Sequence, residues 1–215
     1  MIKISHGKNR FLFEIVDEYF NRLNPKRKNG SYAKRSIHCK LFNLISSKPH
    51  SPYNILWRYI LNNLEGFVKG TPEQLYSFHA KLVSRIYYNK LNFGTVRKKI
   101  EDIFDYESFR KSKTAIWLAE ELGVDVCPYC NRQFISVSKE KGVSKILFDF
   151  DHYFNQARYP YFGLSFNNLI PSCNSCNSRL KHSIEFSIKH YLHPYSDSFN
   201  DILCFSTNIL NTNFF

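Results

Sequence analysis

Between residues 10 and 23 the apolar side chains Phe11, Ile15, Val16, Tyr19, Phe20 and Leu23 recur at the spacing of one helical face. Asn24-Pro25 ends that run, and a basic loop, Lys26 to Gly30, follows. A second helix is predicted over 32–46, with Ile37, Leu41, Leu44 and Ile45 inward. Ser51-Pro52 opens a third, because proline suits the first turn, and Ile55, Leu56, Tyr59, Ile60 and Leu64 carry it to Gly66. Thr71-Pro72-Glu73-Gln74 is a stronger start: a threonine cap, a proline next, and Gln three residues after the cap. Leu75, Phe78, Leu82, Ile86 and Tyr88 then face a core until Asn92-Phe93-Gly94. Thr95 to Ile103 and Ser112 to Leu122 predict two more helices, the last stopped by Gly123. Residues 1–123 therefore read as all-helical, with no internal repeat and no low-complexity segment.

At Val124 the pattern changes. Gln133 to Ser138 alternates as a strand, Lys139-Glu140-Lys141-Gly142 reads as a hairpin turn, and Lys145 to Phe150 as the partner strand that delivers Asp151-His152. An aromatic-rich loop, Tyr153 to Phe166, leads to a short extended piece, Asn168 to Pro171. A helix over Cys173 to Leu180 follows, and the apolar segment Ile184 to Phe215 has no clear period. The chain is thus expected to be α+β, divided into a helical region 1–123 and a second unit 124–215. The stop on Asn213-Phe214-Phe215 is abrupt enough to leave truncation open.

Charge sharpens this division. The 215 residues carry 30 Lys and Arg against 18 Asp and Glu, a formal charge of +12. Residues 1–126 hold 22 basic and 12 acidic side chains, and no acid at all falls between Tyr19 and Leu64. That window contains Arg22, Lys26, Arg27, Lys28, Lys34, Arg35, Lys40, Lys48 and Arg58. So uneven a balance points to a polyanionic partner, of which nucleic acid is the commonest. No stretch is long and apolar enough to span a bilayer, and Met1 to Lys8 has no apolar run of the kind a signal peptide needs.

The six cysteines carry the chemistry. Cys127-Pro-Tyr-Cys130 and Cys173-Asn-Ser-Cys176 are two Cys-x-x-Cys pairs separated by 42 residues; Cys39 and Cys204 are singletons expected to pack in cores. Paired thiolates at this spacing can close a tetrahedron around Zn²⁺, and four of them leave no open position, so the zinc is expected to be structural. Thiolate ligands and free thiols suit a reducing cytoplasm.

Between the two pairs lie Phe150-Asp151-His152, Tyr159-Pro160 and Asn168-Leu169-Ile170-Pro171, and Asn177 directly follows the last cysteine. These pieces, in this order, resemble the HNH endonuclease family with its ββα-metal (His-Me finger) core, over roughly residues 124–195. The resemblance implies that His152 is the general base, Asp151 a ligand of a catalytic Mg²⁺ or Mn²⁺, Asn168 the residue that fixes the loop, and Asn177 the second metal ligand. Histidine suits the base because its pKa lies near neutrality, and Asp and Asn oxygens suit a hard ion. Where many relatives present a further histidine, this chain has Lys181, which cannot ligate a cation but can hold a phosphate. Arg158 and Arg179 are further candidates for phosphate contact. His182, about 100° round a regular helix from Lys181, is a poor ligand. His193-Pro194-Tyr195 also resembles an element that follows the core in such proteins, with no chemistry assigned to it.

The resemblance implies an endonuclease acting on nucleic acid, with DNA ahead of RNA (including tRNA) as substrate. A zinc-stapled nucleic-acid-binding module without catalysis is the alternative. The layout is also similar to the PtuB-like HNH subunits of Septu and retron antiphage defence systems. That would imply an SMC/ABC-like ATPase partner docking on the helical region.

Overall fold

A computed structural model describes residues 1–85, 93–182 and 184–199. Among these residues the chain is α+β, with eight α-helices followed by two small antiparallel sheets. The helices are α1 (Leu12–Leu23), α2 (Ile37–Ser47), α3 (Asn54–Asn62), α4 (Leu64–Lys69), α5 (Pro72–Arg85), α6 (Phe93–Ile103), α7 (Tyr106–Arg110) and α8 (Lys113–Leu122). Local chemistry sets several of their ends. Thr71 Oγ1 accepts the Gln74 N–H while Gln74 Oε1 accepts the Thr71 N–H, a reciprocal cap at the start of α5. Ser112 caps α8, and Gly123, at φ 56°, closes it in the left-handed conformation that glycine tolerates.

In the helical region three helices depart from the sequence reading, and the first of them, expected over 32–46, starts only at Ile37 behind its Ser36 cap. The helix expected from Ser51 to Leu64 starts later and breaks at Asn63, whose backbone leaves helical geometry, and α4 then runs on past Gly66. Gly94 sits inside the first turn of α6 instead of stopping its predecessor. The short α7, capped by the Asp105 side chain, has too few residues to show a period. Ile86, Tyr88, Asn92 and Cys204 lie outside the described residues.

The strand register also differs. β1 (Val137–Glu140) pairs with β2 (Val143–Ile146) around Lys141 and Gly142, both at positive φ, as a tight two-residue hairpin requires. The run Lys145 to Phe150 is not one strand. The chain leaves the hairpin at Leu147, and β3 (Asp149–His152) pairs instead with β4 (Leu169–Ser172). Asp151 lies opposite Ile170, and His152 opposite Leu169.

The aromatic loop between β3 and β4 is largely core. Tyr153, Phe154, Tyr161, Phe162 and Phe166 are buried against Phe67, Phe104 and Tyr19 of the helical region, in one apolar cluster. Each such ring removed from water contributes about 1.5–3 kcal/mol. Polar clamps fix the register of this packing: Tyr19 Oη donates to the Leu164 carbonyl at 3.1 Å, and Tyr106 Oη to the Phe150 carbonyl at 2.7 Å. The helices thereby form the back wall on which β3 and β4 stand. Among the described residues no helix is long and apolar enough to cross a membrane.

Candidate functional site

The two Cys-x-x-Cys segments meet. Cys127 and Cys130 sit in a turn closed by the Cys127 N–H to the Gln133 carbonyl and the Asn131 N–H to the Cys127 carbonyl. Cys173 and Cys176 stand at the head of a π-helix, Ser175–Lys181. All four sulfurs lie within 4.8 Å of one another, with Cys130 Sγ and Cys173 Sγ 3.9 Å apart. Sulfurs about 3.8 Å apart are what a tetrahedral Zn²⁺ with 2.3 Å bonds demands. Burial pushes the Cys127 and Cys176 thiols up. At Cys130 burial also acts upward, but the Arg132 and Gln133 N–H groups together with the Cys176 and Cys127 thiols outweigh it and bring the thiol to about 7. Four crowded sulfurs of this kind fit a structural metal such as zinc, whose charge would hold them as thiolates.

Beside this cluster, β3 opens onto a cleft of about 470 Å³ lined by Tyr106, Arg110, Asp149, Asp151, His152, Asn177, Lys181 and His182, among others. His152 Nε2 lies 3.0 Å from the Gly163 carbonyl. A carbonyl only accepts, so Nε2 carries the proton and the neutral ring keeps its lone pair on Nδ1. The Tyr106 ring stands edge-on to the imidazole at 4.4 Å. Burial lowers the His152 pKa, the Gly163 carbonyl opposing it, so the ring favours its neutral form.

Asn168, wholly buried, ties down the segment that supplies this carbonyl. Its Oδ1 accepts the Phe154 N–H at 2.6 Å, and its Nδ2 donates to the carbonyls of Phe154 and Phe162. Gly163 is the next residue after Phe162.

Asp151 is engaged on both oxygens. Lys181 Nζ donates to Oδ1 at 2.9 Å and to the His152 carbonyl, and Tyr129 Oη donates to Oδ2 at 2.7 Å. The Lys181 and Asp151 side chains are 6% and 5% exposed, so the pair is sealed from water. Desolvation pulls the Lys181 pKa down while Asp151 pushes it back up. The π-helix brings Lys181 here: its wider winding is seen in the His182 N–H bonding to the Asn177 carbonyl, five residues back. Asn177 turns its amide N–H toward Asp149 Oδ2 at 3.3 Å, and Arg110 lies 3.8 Å from Asp149 Oδ1.

The cleft therefore gathers Asp151, His152, Asn177 and Lys181, with Asn168 directly behind. Arg158 pairs with Glu185, Arg179 is exposed, and neither lines the cleft. As the side chains stand, Asp151 and Asn177 do not fit a divalent ion. An ammonium already holds the carboxylate, and the Asn177 amide presents a donor to Asp149. Among the described residues the four cysteines are the one cluster of three or more His, Cys, Asp or Glu close enough to share a metal.

Three cleft residues, Asp149, Tyr106 and Arg110, escape the sequence reading, as does Tyr129, which holds Asp151 from outside the cleft. Asp149 had a signal, since it lies two residues before Asp151 and so on the same face of a strand. Tyr129 is hidden as the spacer of a Cys-x-x-Cys pair, and the other two belong to the short α7. No family model, curated protein or solved structure matches this chain.

Proposed function

We propose that the chain is a nuclease of the HNH type, hydrolysing phosphodiester bonds in a zinc-stapled ββα core. The observation that carries this reading is His152, a neutral imidazole with its Nε2 proton committed to the Gly163 carbonyl, at a cleft between β3 and the helix that follows the second cysteine pair. In this reading Nδ1 of His152 takes the proton from the attacking water. Asn168 holds the Phe154–Phe162 segment so that the Gly163 carbonyl stays in place. Arg110, which lines the cleft, meets the phosphate. Lys181 cancels the Asp151 charge, which would otherwise repel the substrate.

The Mg²⁺ or Mn²⁺ implied by the resemblance does not fit Asp151 in this arrangement, because the Lys181 ammonium occupies the carboxylate. Ion loading there requires Lys181 to withdraw. DNA is placed ahead of RNA on the strength of the resemblance, since both polymers suit the basic helical region. An SMC/ABC-like ATPase partner belongs to the same proposal.

The test is incubation of purified zinc-loaded protein with supercoiled plasmid and with structured RNA, with and without added Mg²⁺ or Mn²⁺ and with and without an ATPase encoded beside it. Nicking or cleavage that His152→Ala abolishes supports the reading. Binding of either polymer with no cleavage under any of these conditions supports the non-catalytic zinc module instead.

A further inference from the structure

The loop between α1 and α2 is basic, and it is also folded. The Arg27 N–H bonds to the Ser31 carbonyl at 2.8 Å and the Gly30 N–H to the Arg27 carbonyl at 2.9 Å, with Gly30 at φ 80°. Asn29 Oδ1 accepts from both the N–H and the hydroxyl of Ser31. Lys26 and Tyr32 face each other in an antiparallel bridge, the Tyr32 ring stacks on His38 at 3.9 Å, and Lys26 Nζ stands 5.4 Å from that ring. The result is a small pinned hairpin.

Its cations are left unneutralised. Arg27, Lys28, Lys34 and Arg35 are exposed, and none forms an ion pair among the described residues. Glu18, the nearest acid before the window, is already held by Arg10 and Arg22. Concentrating like charge on a pinned turn costs stability through self-repulsion, and a polyanion offsets that cost by releasing its condensed counterions. An anionic bilayer suits the loop less well. Its apolar residues are Pro25, Tyr32 and Ala33, all partly buried, so no large side chain is free to insert.

The loop also connects to the cleft. It runs into α2, whose Lys40 Nζ donates to the Asp102 carbonyl near the end of α6, just before α7 contributes Tyr106 and Arg110 to the cleft wall. We propose that the 26–35 hairpin is a docking surface for the phosphate backbone of nucleic acid, holding the polymer on the α7 side of the cleft. The proposal rests on the nuclease reading for its purpose, but not for its binding chemistry.

The test uses the full zinc-loaded chain with Arg27, Lys28, Lys34 and Arg35 all changed to Gln. Binding of a fluorescent DNA duplex is followed by anisotropy across a salt series, without added divalent ion. Each phosphate contact contributes about 0.9 to the slope of log affinity against log salt. The variant is expected to lose roughly 2–4 from that slope and at least about tenfold in affinity at moderate salt. Its melting temperature should be no lower than that of wild type, since self-repulsion is relieved, and its hydrolysis of bis(p-nitrophenyl) phosphate, too small to reach the loop, should match wild type. An unchanged slope and affinity overturn the proposal. So does a variant that keeps duplex binding and loses only binding to phosphatidylserine vesicles. If wild type cleaves neither the small ester nor plasmid or RNA, with Mg²⁺ or Mn²⁺ and the ATPase present, while the variant still loses the duplex, docking stands and the nuclease reading fails.

Discussion

Lys181 Nζ lies 2.9 Å from Asp151 Oδ1, with both side chains sealed from water. Truncating one partner leaves the other charge buried and unpaired, which typically costs about 3–5 kcal/mol. Lys181→Met is therefore expected to lose about that much stability in urea melts, and the double variant Lys181→Met/Asp151→Asn to recover most of it. A double variant no more stable than the single one contradicts the pairing. Released from its lysine, Asp151 should also take a divalent ion more readily. Mn²⁺ binding read by electron paramagnetic resonance should be tighter in Lys181→Met than in wild type.

The four sulfurs predict one firmly held metal. Purified protein should contain equimolar zinc by elemental analysis, and Cys176→Ser should lose it together with cooperative melting, because the ion joins segments 42 residues apart in sequence. Metal-free protein with an unchanged melting temperature would show that the fold does not depend on the cluster.

Asn168 makes a different prediction. Asn168→Ala leaves the Phe154 N–H and the Phe154 carbonyl without their buried partner, while the Phe162 carbonyl keeps the Ser165 N–H. Each unsatisfied group costs about 1–3 kcal/mol, so roughly 2–5 kcal/mol should be missing in urea melts. Cleavage should fall further than the unfolded fraction explains, since the Gly163 carbonyl that orients His152 adjoins this clamp. A stable variant with full cleavage would remove Asn168 from the site.

Acid should act through His193. Its side chain is 1% exposed, and its Nδ1 accepts the Tyr195 N–H. Burial lowers its pKa to about 4, against the opposing effects of the Asn167 backbone, Asp197 and Glu73. Because the folded value lies below the unfolded one, the unfolded chain binds the proton first, and stability is lost as pH falls from about 6.5 toward 4. The loss is on the order of 3 kcal/mol. His193→Asn keeps an acceptor near the Nδ1 position and removes the titration. Its melting temperature should fall less than that of wild type between neutral pH and about pH 5. Parallel pH curves for the two proteins would contradict this.

What could be read in advance followed the range of the interactions. Caps and stops such as Thr71, Ser112 and Gly123 act over three or four residues, so side-chain chemistry alone locates them. The cysteine spacing is equally local within each pair, and the pairs had only to meet. The break between β2 and β3 was not legible, because Lys145 to Phe150 holds four apolar residues and no Gly or Pro, so nothing local interrupts an extended reading. Only the pairing of Asp149 with Ser172 across the fold divides it. The fate of Asp151 was hidden for the same reason. Regular α-helical spacing set Lys181 one turn from Asn177 as a free phosphate ligand, but π winding carries it into a buried pair with Asp151, and Tyr129 arrives from the opposite cysteine turn.

In the proposed reaction a proton leaves water for Nδ1 of His152. Its most direct test is the single-turnover cleavage rate of a labelled duplex by wild type and His152→Ala, at matched zinc content and with both shown to be folded. The expected result is a loss of at least about 10²-fold in the variant, the usual contribution of a general base. Equal rates would contradict the assignment of His152 and leave a zinc-stapled fold whose cleft does something else.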